Sequence, residues 1–258
     1  MTSRAEGIRA QSTFDVGRRR LDARRAWAAG CLLAFAVALA VRPGPSRILA
    51  PLVVLDLVIV CMPWRVPRAG RSARSLWAES VAYQAVPIAA VVVVLLSDPP
   101  WAAALPAPGW FVLAAAGGLG LVRLSGIRLR LLLRGDLAWF AGPEHPLHAA
   151  AIAWTAMVAA VGEEFLFRSV ATSGAGAAWV LTCVLAAVAF VARHHVPRGA
   201  DACTGRTDLV VQIVAAVLLL VLTVASGSLY PAVLCHLLAN TPTAVLALQR
   251  AGTPGASS

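Results

Sequence analysis

Lysine is absent from this chain: all 22 basic residues are arginine. Charge of either sign is scarce. Charged residues make up 13% of the 258 positions, against about 25% in soluble domains. With 59% hydrophobic residues, this excludes an ordinary soluble domain. No CxxC pair occurs among the five cysteines (Cys31, Cys61, Cys183, Cys203 and Cys235). Nothing in that pattern indicates a disulfide framework. Four of the five lie within apolar segments and read as small buried hydrophobes. No HExxH pair of the zinc-protease type is present either.

What is present is apolar sequence in blocks. They lie at roughly 26–41, 48–64, 77–96, 109–122, 147–167, 175–192, 208–224 and 229–248. A bilayer core needs about 20 helical residues, with about 17 tolerable. The third and eighth blocks meet this easily, while the first and fourth are short. The expected fold is therefore all-α, a polytopic transmembrane bundle of about eight helices, with the lipid bilayer as a partner. The run from Trp27 to Val41 resembles a signal-peptide core, but Arg42-Pro43-Gly44-Pro45 follows it, so it reads as a retained first helix.

The formal charge of +10 raises the question of nucleic acid, but the arrangement of the arginines answers it. They form clusters between apolar blocks: seven in 1–25, then Arg65, Arg68, Arg71 and Arg74, then Arg123, Arg128, Arg130 and Arg134, then Arg193, Arg198 and Arg206, and finally Arg250. The alternate linkers are poorer, and 97–108 and 225–228 have none. This is positive-inside anchoring with both termini cytoplasmic, not a nucleic-acid surface. The Ala/Arg-rich composition suggests a bacterial inner membrane. Segment 123–134 reads as an amphipathic interfacial helix or as a plain basic loop. The chain divides into a basic tail (1–25), helices without a motif (26–136), a motif-bearing core (137–250) and a disordered tail (251–258).

Ionisable groups inside a membrane are costly, so each is a functional candidate. These are Asp56, Glu79, Glu163, Glu164, Arg168, His194 and His236, with Asn240 as a polar addition. Glu164 and Arg168 are spaced i,i+4 with the acid first, the favoured order for a helical ion pair. Glu163 points about 100° away with no such local partner. An unpaired carboxylate in apolar surroundings tends to hold a proton near neutrality, which suits a general base. Both acids can also be read as packing groups held by Arg168. Phe190 and His194 lie one turn apart, as do His236 and Asn240. The latter pair follows Gly227 and Pro231, which are expected to break the helix. His145, His148 and His195 follow no pattern.

Taken in order, Glu163-Glu164-Phe165-Leu166-Phe167-Arg168, Phe190 to His194, and His236 to Asn240 resemble the EExxxR, FxxxH and HxxxN motifs of the CPBP family. That family includes the Ras-converting CAAX endopeptidase and bacterial Abi-type membrane proteins. The resemblance covers about 145–250. It implies an intramembrane endopeptidase of glutamic type acting on a protein or peptide substrate. Glu163 would activate water with help from His194. His236 and Asn240 would bind the oxyanion, and Glu164, Arg168 and Phe190 would support the site. No cofactor is implied; the alternative is zinc held by one carboxylate and two histidines. A non-catalytic scaffold or immunity protein is the other functional reading. Simple alternation of spans puts Glu163 and His194 at opposite helix ends, so a shared site requires offset helices or an interfacial 168–178.

Overall fold

The computed structural model describes residues 23–61, 73–97, 104–196 and 206–253. Among these residues there are ten α-helices and no strands. They are α1 (Ala23–Val41), α2 (Ala50–Cys61), α3 (Ala73–Leu96), α4 (Gly109–Leu124), α5 (Leu129–Leu133), α6 (Asp136–Ala141), α7 (Pro146–Arg168), α8 (Ala177–His195), α9 (Arg206–Ser226) and α10 (Tyr230–Ala251). In lipid the backbone must satisfy its own hydrogen bonds, which leaves helices or closed barrels. The outward faces agree with lipid surroundings. Val54, Val58, Val92, Val112, Val217 and Val221 are all exposed, where a soluble bundle would carry polar groups.

Six helices are long and apolar enough to cross a membrane: α1, α3, α7, α8, α9 and α10. Eight is the best count from sequence, with seven or six possible, and six qualify by length among the described residues. α4 has 16 residues, in line with its short sequence block. The other shortfall is in α2, with 12 residues, because a 3-10 turn over Pro45–Leu49 takes the start of that block. α1 is longer than its block because it begins at Ala23. The linker 123–134 is neither one amphipathic helix nor a plain loop: its first two residues end α4, and the five-residue α5 follows beyond a turn at Ser125-Gly126. The tail 1–22, Arg65, Arg68, Arg71, Arg198, Cys203 and residues 254–258 lie outside the described residues. Residue 251, assigned above to the disordered tail, closes α10.

Local sequence sets the helix ends. Pro146 opens α7, where its missing N–H costs nothing, and the His145 Nδ1 accepts a hydrogen bond from the Leu147 N–H at 3.2 Å. The break expected near Gly227 is the turn between α9 and α10. Gly227 there has φ 66, a left-handed conformation that favours glycine. The far end of α10 is tied down as well. The Gln249 Nε2 donates to the Leu132 carbonyl and the Arg250 Nε to the Gly142 carbonyl, both at 2.9 Å.

α7 is the central helix and packs mainly on α3 and α10. Its approach to α3 is set by Gly162: a Cβ there would lie 2.5 Å from the Pro87 Cβ. Small residues at such crossings let membrane helices close up. The contact that a shared site requires is present between α7 and α8. Ser169–Thr172 continue α7 as a 3-10 turn. Near the start of α8, the Trp179 indole N–H donates to the Val170 carbonyl at 3.1 Å. α8 therefore starts at the far end of α7, and its last turn reaches Glu163.

Gly162→Ala is expected to lower the thermal midpoint in detergent, at a cost of about 1–3 kcal/mol from overpacking. Gly30→Ala meets nothing within 4 Å and should not lower it. Equal midpoints for the two variants would show that the α3–α7 crossing has room to spare.

Candidate active site

Glu163 and Glu164 lie in the last two turns of α7, both 0% exposed. Being adjacent, they point to different neighbours. Glu163 reaches α8: its Oε2 is 3.2 Å from the His194 Nε2, and the Arg193 Nη1 donates to its Oε1. Glu164 reaches α10: its Oε1 is 2.8 Å from the His236 Nδ1 and 3.5 Å from the Arg168 Nη1.

The Arg193 contact corrects the expectation that Glu163 is unpaired. Arg193 was counted above among the linker arginines, yet it is 0% exposed in the last turn of α8. Its Nε donates to the Asp56 Oδ2 at 2.9 Å and Oδ1 at 3.3 Å, and its Nη2 to the Tyr83 carbonyl at 3.2 Å. The Tyr83 ring lies beneath its guanidinium, 4.1 Å from centroid to Cζ. Asp56 is also 0% exposed. Sequence gave a signal for Asp56, as an acid inside an apolar block. For Arg193 the available signal was its place directly before a candidate histidine, too near a helix end to be separated from positive-inside anchoring.

The expected Glu164–Arg168 pair is present at 3.5 Å between fully buried groups, but it is an ion pair without a hydrogen bond. No Arg168 nitrogen has a hydrogen-bond partner. Its guanidinium lies flat on Phe190, 3.8 Å from the ring centroid. Phe190 is a hub: the His194 ring centroid is 4.3 Å from it, and those of His236 and Phe167 are each 5.9 Å. The two histidines thus flank one aromatic ring, each on its own carboxylate.

Tautomers follow from the acceptors. The His194 Nδ1 is 2.9 Å from the Phe190 carbonyl, which can only accept, so Nδ1 carries a hydrogen. That turns Nε2 to Glu163. The His236 Nδ1 faces Glu164, which leaves its Nε2 uncommitted. Asn240 does not reach either pair; its Nδ2 donates to the Ala156 carbonyl at 2.8 Å, about two turns before Glu163 on α7. The remaining histidines stand apart: His145 caps α7, His148 is 3.4 Å from Glu144, and His195 meets the Trp27 ring at 5.8 Å. No group of three or more His, Cys, Asp or Glu arranged to hold a metal occurs among the described residues.

An apolar groove of about 420 Å³ adjoins this centre. Ile88 and Val92 of α3, Val158 and Gly162 of α7, and Leu237 of α10 line it. Gly162 and Leu237 are the chain neighbours of Glu163 and His236.

Residues 145–242 match the family described as type II CAAX prenyl endopeptidase Rce1-like. That range contains all three motifs, so the resemblance to CPBP-type CAAX proteases holds for the segment that builds the Glu/His centre. No curated protein and no solved structure matches the chain. Asp56 and Tyr83 lie outside the CAAX-endopeptidase-like segment, although their contacts reach its centre.

Arg168→Ala is expected to lower the yield of monodisperse protein and its thermal midpoint, because it strands Glu164. Breaking a buried pair costs about 3–5 kcal/mol. A variant as stable as the parent would show that His236 alone suffices for Glu164.

Proposed function

We propose that this chain is an intramembrane endopeptidase of glutamic type. Its substrates are C-terminal or membrane-proximal segments of other proteins. The observation that carries this reading is the contact between the buried Glu163 Oε2 and the His194 Nε2 at 3.2 Å, inside a segment that matches CAAX endopeptidases. Both atoms are acceptors when Glu163 is ionised and His194 neutral. One water placed against both would donate a hydrogen to each, leaving a lone pair on its oxygen to attack a carbonyl carbon.

The steps then balance as follows. Glu163 takes a proton from the water as its oxygen bonds to the scissile carbonyl carbon. The carbonyl oxygen becomes an oxyanion, and donors placed where that charge develops stabilise the transition state. The Asn240 amide has a second hydrogen beyond the one given to Ala156, and His236, whose Nδ1 hydrogen goes to Glu164, can donate from Nε2 only with both ring nitrogens protonated. The tetrahedral species collapses, the C–N bond breaks, and the proton on Glu163 passes to the leaving amine. Arg168 and Phe190 keep the Glu164–His236 arm in place. No step calls for a metal, and the zinc reading would instead require activity to depend on one. The apolar groove beside Gly162 and Leu237 suits a substrate segment arriving from lipid.

For the chain in its membrane, positive-inside anchoring favours both termini on the cytoplasmic side, with a bacterial inner membrane as the site. Alternation of the arginine-rich linkers needs the short α2 and α4 to cross as well as the six long helices; cysteine-labelling or reporter fusions at residue 100 and at the C-terminus should then report opposite sides. The same side for both would rule this eight-span arrangement out.

The catalytic test uses purified protein in detergent and internally quenched peptides ending in CAAX-type sequences, with and without a prenyl group. The parent should cleave, and chelation with EDTA should leave the rate unchanged. Glu163→Gln keeps the shape and removes the base. It should fold like the parent and lose about 10²–10⁴-fold in rate. A Glu163→Gln protein with the parental rate would end the protease reading.

A further inference from the structure

We propose that Asp56 and Arg193 are positioning residues that hold Glu163 so that only its Oε2 faces His194 and the water. The inference rests on the proteolytic reading and adds to it a part for the N-terminal half, where no motif was legible. Arg193 has each side of its guanidinium assigned. Nε is engaged by Asp56, Nη2 by the Tyr83 carbonyl, and Nη1 by Glu163 Oε1, while the Tyr83 ring covers one face. A planar fork held at three points has one orientation. Its grip on Oε1 fixes the rotation of the Glu163 carboxylate.

Two consequences follow for Glu163. Its Oε1 is occupied, so Oε2 alone is left for chemistry, and Oε2 is the atom at 3.2 Å from the His194 Nε2. The second concerns charge: Asp56 sits on the same guanidinium, so Arg193 is shared between two carboxylates. Arg193 and His194 of α8 contact this carboxylate, while Asp56 of α2 and the Tyr83 carbonyl of α3 contact Arg193. Asp56 touches neither Glu163 nor His194 in any contact described above. Its effect on the reaction passes through Arg193, which is why it is a positioning residue and not a catalytic one.

The test measures kcat and KM separately on the quenched CAAX-type peptide that the parent cleaves best, together with the thermal midpoint. Asp56→Asn is isosteric and removes only the charge. It should lower kcat by about 10- to 100-fold, the scale of a small misplacement of a reacting group, and change KM less than about twofold. Asp56→Glu returns the charge and should recover kcat to within about threefold of the parent. A merely structural role would move the midpoint and leave kcat per folded molecule unchanged. If Asp56→Asn does not fold, the paired exchange Asp56→Asn/Arg193→Gln removes both charges together and should show the same loss in kcat. Parental kcat in Asp56→Asn or in the paired exchange, or a change in KM alone, would overturn the proposal. A parent that cleaves no peptide, or a Glu163→Gln variant that cleaves normally, would instead remove the proteolytic reading on which it rests.

Discussion

A guanidinium with no exposure to solvent, gripped by two carboxylates from different helices, is the constraint on which the rest of this architecture depends. Arg193 brings α2, α3, α7 and α8 to one point through Asp56, Tyr83 and Glu163. Arg193, Asp56 and Glu163 are all 0% exposed. Desolvating an ion costs several kcal/mol even after relaxation, and good geometry with further hydrogen bonds has to offset that cost. The arginine fork suits the task, because its donors lie in one plane at fixed angles. The last turn of α8 meets the same requirement, since it brings Arg193 and His194 to Glu163.

The second acidic arm is built differently. Glu164 has a hydrogen bond from His236, while Arg168 balances its charge from 3.5 Å and lies on Phe190. Here an aromatic face does what Asp56 and Tyr83 do for Arg193. The two arms meet across the Phe190 ring, so the FxxxH and HxxxN stretches are one assembly in space although about 40 residues separate them in the chain. The Gly162–Pro87 approach lies one residue from Glu163 and sets how closely α3 stands to both arms.

Much of this was legible before any coordinates. Low charge and long apolar blocks lead to a helical membrane bundle because lipid admits so few backbone solutions. The Glu163, Glu164, His194 and His236 cluster was legible because each is an expensive group in an apolar setting and their spacings recur in one family. Asn240 was on the same list, and one hydrogen of its amide goes to the Ala156 carbonyl, a choice no spacing discloses. The span count was less legible, since a 3-10 turn over Pro45–Leu49 shortened α2. Arg193 was misread because an arginine near a helix end looks the same whether it anchors the helix at a headgroup or turns inward to an acid. Only the position of Asp56, 137 residues away in sequence, separates the two. Such pairings are set by the tertiary fold and leave no local period to read.

The buried cations have one more consequence. Guanidinium groups do not give up their proton in proteins, unlike a lysine, which can shed its proton on burial. Arg168 and Arg193 therefore contribute a constant +2 to the interior, set against the carboxyl groups of Asp56, Glu163 and Glu164. Three ionised acids against two fixed cations leave one negative charge in excess, so the carboxylates depend on neutral hydrogen-bond donors as well as on the two arginines.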